Sequence, residues 1–374
     1  MPAYLDNAAT TPMRPEAVEA MLPFLTERFG NPSGAHAVSR EARKALDEAR
    51  DTVAQCLEAR PAEVVFTGGG TEADNLAILG ALAVRRGPTV CSAVEHHAVL
   101  HTCQAAGDNR LLPVDGNGVV DLQRLPELLD PSVSVVSVML ANNEVGVIEP
   151  VREVVALTRE LAPEAVVHTD AVQAFPWLDV AALAGAADLV AVSAHKFGGP
   201  KGVGALVVRQ GVQVRPMIHG GGQERDRRSG THNVAGIVAM AAAMRATVDG
   251  RAAEVARIRA LRDRLADGLL ATVPGCAETG DRANKIAGNC HLTFDGVESE
   301  ELLVLLDAAG VYASAGSACA SGAVDPSHVM AAMGVPRARA LGALRLSLGP
   351  RTTEADVELA LSAVPAAVSR LRQG

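Results

Sequence analysis

The segment Ser193-Ala-His-Lys-Phe-Gly-Gly-Pro-Lys-Gly202 follows an apolar run, Asp188 to Val192, of the kind a buried strand makes. A lysine at the mouth of such a strand, between a histidine and a glycine-rich turn, has two readings. Lys196 is either a solvated loop cation or a desolvated amine able to form a Schiff base with a carbonyl cofactor. Other strand-end segments bear on the choice. Gly68-Gly-Gly-Thr-Glu-Ala-Asp-Asn75 runs from a strand into a helix, where exposed N–H groups and aligned peptide dipoles favour a phosphate; the plain alternative is a capped turn. Its spacing is neither GxGxxG nor GxxxxGK[ST], so it supports neither a dinucleotide site nor a P-loop. Glu95-His-His-Ala-Val-Leu-His101 offers His96 either as a ring that stacks on a flat ligand or as a polar loop histidine. His97 and His101 have the i, i+4 spacing of zinc ligands, but no glutamate base lies between them and no third ligand is evident, so no metal is expected. In His168-Thr-Asp-Ala-Val-Gln173 the carboxylate of Asp170 ends an apolar strand, where it must cap the next helix or face a cation or a protonated nitrogen. A lysine, an aspartate, a phosphate cradle and a stacking ring at one sheet edge are the parts that pyridoxal phosphate needs.

That single edge requires a particular set of elements. Short β-branched runs at Glu63–Thr67, Pro88–Ser92, Val133–Met139, Ala165–Thr169, Asp188–Val192 and Val203–Val208 alternate with amphipathic stretches, which implies a mainly parallel α/β sheet. Ligands of such sheets bind beyond the carboxyl ends of the strands, where the segments above fall. A helical stretch from Asn233 to about Leu270 leads to a second set: a strand at Asn289–Phe294, a helix at Glu298–Ala309, a strand at Leu344–Ser347 and a last helix from Thr353. This reads as a smaller α+β domain joined by the long helix.

Composition narrows the setting. The chain has 374 residues and 48% hydrophobic content, enough for a substantial core. Its formal net charge of -9 argues against a nucleic-acid groove or an anionic membrane as the main partner. The six cysteines show no close pairing and no CxxC, which suggests a reducing cytoplasm rather than a disulfide framework. The first residues lack a signal-peptide pattern, and no apolar run approaches the roughly 18 residues of a membrane span.

Taken in order, the motifs resemble those of the pyridoxal-phosphate-dependent cysteine desulfurases, a class-V aminotransferase-like family. They include Tyr4-Leu-Asp-Asn-Ala-Ala-Thr-Thr11, Phe29-Gly-Asn-Pro-Ser-Gly34, Gly69-Gly-Thr-Glu72, Glu95-His96, Asn142-Asn-Glu-Val-Gly146, His168-Thr-Asp170, His195-Lys196, Gly220-Gly-Gly-Gln-Glu224, Arg228-Ser-Gly-Thr231, Ser317-Ala-Cys319 and Leu344-Arg-Leu-Ser-Leu-Gly349. The resemblance covers nearly the whole chain. It implies the aminotransferase-like fold of type I: a mainly parallel seven-stranded sheet with helices on both faces, plus a smaller α+β C-terminal domain. Residues 13–250 would form the large cofactor-binding domain, and 251–374 with the N-terminal segment 1–12 the small one. The protein would be a homodimer with two active sites at the subunit interface.

By the same resemblance Lys196 would hold pyridoxal 5'-phosphate, Asp170 would face its pyridine nitrogen, His96 would stack on its ring and Gln173 would bond its phenolic oxygen. Gly70, Thr71, Ser193 and His195 would hold the phosphate, with Thr231 arriving from the other subunit. Asn143 and Arg345 would hold the L-cysteine substrate, Arg345 gripping its carboxylate as a planar two-donor fork. Two positions depart from the family pattern: Gly68 stands where serine is usual and Ala320 where a hydroxyl residue is common.

Sulfur removal further needs a nucleophile. Cys319 lies in Ala313-Ser-Ala-Gly-Ser-Ala-Cys-Ala-Ser-Gly-Ala-Val324, whose small side chains can bury little, so a mobile thiol is expected there and buried core thiols at the other five cysteines. The expected products are alanine and a persulfide on Cys319, passed to an acceptor protein for iron-sulfur assembly or another sulfur transfer. Alternatives are a selenocysteine lyase or aminotransferase, a sulfur-relay protein whose main task is docking, and a metal-dependent hydrolase built on the histidines.

Overall fold

Apolar runs of three to five residues that are largely buried must pair with one another and be covered on both faces by helices. The computed structural model describes residues 2–315 and 326–373, and seven runs form one sheet in it. They are Val64–Thr67 (β1), Thr89–Ser92 (β2), Asn109–Leu112 (β3), Val135–Ser137 (β4), Val166–Asp170 (β5), Leu189–Ser193 (β6) and Gly204–Val208 (β7). Their order is β1-β7-β6-β5-β4-β2-β3. All neighbours from β6 to β3 are parallel, while β7 runs antiparallel to both β6 and β1. This arrangement brings the carboxyl ends of β1 and β6 to the same edge, where both Thr67 and Ser193 pair with Gly204.

The six expected strands are all present, displaced or trimmed by one or two residues. The seventh, β3, is one the sequence pattern does not announce. It is an edge strand whose first three residues are only partly covered, so Asn109-Arg-Leu-Leu112 has neither the β-branched content nor the full burial of its neighbours.

The helices Gly70–Leu82 (α1) and His97–Ala106 (α2) begin at the site edge. Helix Val234–Thr272 (α3) runs 39 residues and joins two apolar cores. Ile237, Met240 and Met244 pack into the core of the large sheet; Ile258, Leu261, Leu265 and Leu269 belong to a second. That second core covers an antiparallel sheet of Cys276–Glu278 (β8), Asn289–Phe294 (β9) and Ala343–Ser347 (β10) in the order β10-β9-β8. Helices Ser299–Ala308 (α4) and Glu354–Gln373 (α5) lie against it. The N-terminal segment joins the same core: Ala3–Tyr4 pairs in parallel with Val311–Tyr312, and Leu5 is fully buried. Among the described residues no helix is long and apolar enough to cross a membrane.

The turn Asn142–Val147 ties the two sheets together. Its Glu144 carbonyl accepts from Asn289 Nδ2 at 2.9 Å, and Asn142 Oδ1 accepts the N–H groups of Glu144 and Val145. Gly146 sits in this turn at φ +80°, and a Cβ there would lie 2.5 Å from Asn289 Cβ. Left-handed strain and this backbone-fixed clash act together. Gly146→Ala is therefore expected to lower the thermal unfolding midpoint by at least about 4 °C, measured by calorimetry. An unchanged midpoint would show that the turn yields freely.

Candidate active site

Three chain segments leave the carboxyl edge of the sheet side by side. β5 ends in Asp170, its neighbour β6 ends in Ser193 and continues through His195 and Lys196, and β1 runs through Gly68 and Gly69 into α1. They enclose a cavity of about 330 Å³ whose walls include His96, Asn143, Asp170, Gln173, Lys196 and Arg345, with Gly70, Thr71, Ser193 and His195 at one end. The latter four also border an adjoining open groove of about 740 Å³.

The end of the cavity at the start of α1 is formed largely by backbone. Helix α1 starts from Gly69 with no side chain capping its first turn, so its leading N–H groups remain available to an anion. A Cβ on Gly70 would lie 3.0 Å from Val172 Cγ2 and 3.4 Å from Ser193 Cβ, so a glycine is what allows this close approach. His195 is held with its Nδ1 3.2 Å from Thr10 Oγ1, and burial, followed by the charges of Lys196 and Lys201, lowers its pKa to about 4. It is neutral near pH 7.

At the centre, burial acts in opposite directions on two groups. Desolvation, then the Arg345 charge, brings the Lys196 amine down to about pKa 8, against the pull of Asp170 and Asp6. Desolvation, then nearby Asp74, raises Asp170 to about 6, while one of its oxygens accepts the Val172 N–H at 2.8 Å. Lys196 Nζ donates to the carbonyls of Ala8 and Ala9, the latter at 2.9 Å, and Gln173 Nε2 donates to the same Ala8 carbonyl at 2.7 Å. His96 caps α2, its Nδ1 accepting from Ala98 N–H at 3.1 Å, and burial lowers its pKa. A neutral ring with a fixed Nδ1 acceptor suits stacking on a flat ligand.

Arg345, on β10, also lines the cavity. Its Nη1 donates to the Asn143 carbonyl and its Nη2 to Asp6 Oδ1, each at 2.9 Å. Thr231 is exposed and is not among the residues lining either cavity of its own chain. Cys319 and Ala320 lie outside the described residues. Ser314 and His328, which stand on either side of residues 316–325, both line the cavity.

The sequence reading missed Asp74, Ala8, Ala9 and His328. Asp74 stands three residues beyond Thr71 on α1, a spacing that could have revealed it; it is buried, and desolvation raises its pKa to about 8. Ala8 and Ala9 act through carbonyls, of which residue type gives no sign. The ring of His97 lies 4.6 Å from that of His101 and 4.7 Å from that of His328. Among the described residues no group of three His, Cys, Asp or Glu is placed to hold a metal.

The donors present fit pyridoxal phosphate: an uncapped helix start for its phosphate, a carboxylate for its ring nitrogen, a histidine face for its ring and a depressed lysine amine. Comparison with known proteins agrees. The aminotransferase class-V family model matches residues 3–360. An IscS-like cysteine desulfurase of Mycobacterium tuberculosis is 47% identical over 99% of this chain and 97% of its own. The cysteine desulfurase IscS of Methanosarcina thermophila is 43% identical over 99% of this chain and 92% of its own. A solved NifS-like protein superimposes with a TM-score of 0.93 at 36% identity, covering 99% of this chain and all of its own. The chain belongs to the aminotransferase class-V family, whose members depend on pyridoxal phosphate. Within that family it is one of the cysteine desulfurases.

In cofactor-free protein, reductive methylation of Lys196 should titrate with a midpoint near pH 8, well below an ordinary lysine at 10.5. Asp170→Asn removes an anion that favours the ammonium, so it should move the midpoint lower still. The unfolded chain binds the extra proton between these two pH values, so the cofactor-free protein should gain stability from this group as pH rises through that window. A midpoint near 10.5, read by mass spectrometry of the labelled peptide, would contradict the desolvated site.

Proposed function

We propose that this cysteine desulfurase takes sulfur from L-cysteine with Lys196 as the amine that holds the cofactor and then moves the substrate's α-proton, and with Cys319 as the thiol that receives the sulfur. The observation that carries this reading is the convergence of Lys196, Asp170, His96 and an uncapped helix start on one cavity. When bound, pyridoxal phosphate supplies an electron sink conjugated to the substrate's α-carbon.

The chain's own residues do the rest. Asp170, held at the end of β5, would face the ring nitrogen and favour its protonated form. Gln173 would bond the phenolic oxygen, and Gly70, Thr71, Ser193 and His195 would hold the phosphate. Desolvation brings the Lys196 amine down to about pKa 8, so the freed amine is a more competent base than an ordinary lysine. Arg345 grips the substrate carboxylate beside Asn143. The Cys319 thiolate attacks the substrate's sulfur: an S–S bond forms, the C–S bond breaks, and its electron pair stays on the carbon side, which then takes up a proton. Cysteine and the Cys319 thiol become alanine and a Cys319 persulfide, with all hydrogens accounted for. Ser314 and His328 at the cavity support a thiol delivered from the segment between them.

The same reading assigns residues 13–250 to a cofactor-binding domain and 251–374 with 1–12 to a smaller one, in keeping with the two apolar cores. It makes the protein a homodimer in which the exposed Thr231 would complete a neighbour's phosphate site, and it places the protein in the cytoplasm, in keeping with cysteines that show no disulfide pattern. The persulfide would pass to a sulfur-acceptor or iron-sulfur scaffold protein.

Lys196→Ala is expected to lose the visible absorption band of the loaded enzyme and all turnover. Cys319→Ala should keep that band and still change spectrum on addition of L-cysteine, while alanine release falls at least about a hundredfold. Alanine formation at the unmutated rate in the Cys319 variant would point instead to a lyase or aminotransferase that needs no second nucleophile.

A further inference from the structure

One carboxylate beside the cavity has no part in the chemistry above. Asp6 reaches Arg345 from the N-terminal segment, its Oδ1 accepting from Nη2 at 2.9 Å, and its side chain keeps 23% exposure against 6% for Arg345. Asp6 is itself firmly held. Its backbone bridges Ser347, two residues from Arg345 on the same strand, and Asn7 N–H donates to the Ser347 carbonyl at 3.1 Å. The Asp6 carbonyl accepts from Ala9 N–H and from the Tyr4 hydroxyl, each at 3.1 Å.

An arginine side chain has many rotamers, and one tether leaves its plane free to turn. Here two tethers of different origin take both η nitrogens: the Asn143 carbonyl from the large sheet and the Asp6 carboxylate from the N-terminus. Together they fix the guanidinium plane at the cavity wall. A fork presented at a fixed angle selects a planar carboxylate, and the gain is absent for a ligand that lacks one.

We propose that Asp6 is a positioning residue that aims Arg345 at the substrate's α-carboxylate and thereby favours amino acids over simple amines. This rests on the reading of Arg345 as the carboxylate-binding group.

The test is a spectral titration of the pyridoxal-phosphate-loaded protein in a Cys319→Ala background, which prevents turnover. The ligands are L-cysteine and cysteamine, which has the amine and thiol but no carboxylate. Asp6→Ala should raise the apparent Kd for L-cysteine about tenfold and change that for cysteamine less than twofold. Asp6→Asn, which keeps the shape and one acceptor oxygen, should show a smaller loss in the same sense. Equal loss for both ligands would mean a general structural role and overturn the inference, as would an unchanged or tighter Kd for L-cysteine. Arg345→Ala separates the two claims. If it abolishes the preference for L-cysteine while Asp6→Ala leaves it intact, Asp6 is not the positioning group; if Arg345→Ala also leaves the preference intact, the reading of Arg345 itself fails.

Discussion

Burial at the carboxyl ends of two neighbouring strands is the constraint on which this site depends. Asp170 and Lys196 leave adjacent parallel strands into the same cavity, and desolvation presses each toward its neutral form. Such groups are tolerable in a buried sheet edge only when hydrogen-bonded or paired, as Lys196 is to the Ala8 and Ala9 carbonyls and Asp170 to the Val172 N–H. The sheet order, the antiparallel β7 that lies between β1 and β6 and brings their carboxyl ends to one edge, and the glycine start of α1 all serve to enclose that cavity. A cofactor with a ring nitrogen, a carbonyl and a phosphate matches the three walls at once.

The fourth wall comes from far away in sequence. Residues 6 to 11 cross the front of β6, where the Ala8 and Ala9 carbonyls accept Lys196 Nζ and Thr11 accepts from Gly198 N–H. Thr11 also donates to the His195 carbonyl at 2.8 Å. One short turn thus touches the lysine, its preceding histidine, Gln173 and, through Asp6, the arginine on β10. Rigidity there comes mainly from backbone groups, which vary little with side-chain identity and so make a steady reference for the reactive groups.

The large sheet and its ligand edge are legible in the sequence because buried parallel strands are short, β-branched and followed directly by their functional residues. Asp170, His96 and Lys196 all stand within three residues of a strand or helix boundary, so the pattern that locates the element also locates the site. β3 was not legible, since an edge strand with half-covered residues lacks the apolar signature. Asp6 and Ala8 were quoted within a motif yet had no readable role. One acts across 339 residues and the other through a carbonyl, and neither long-range pairing nor backbone direction is written in local residue types. Asp74 is an intermediate case: its helical spacing from Thr71 was available, but its burial was not.

The segment of residues 6 to 11 also sets an order of events in folding. Its partners His195, Arg345 and Ser347 stand 184 to 340 residues away along the chain. Contacts of such separation form late, because a long loop must close before they give any return. The parallel sheet can therefore pair its strands while Lys196 still lacks the turn that receives it. Refolding should accordingly close the cavity last, when this segment docks across β6 and β10.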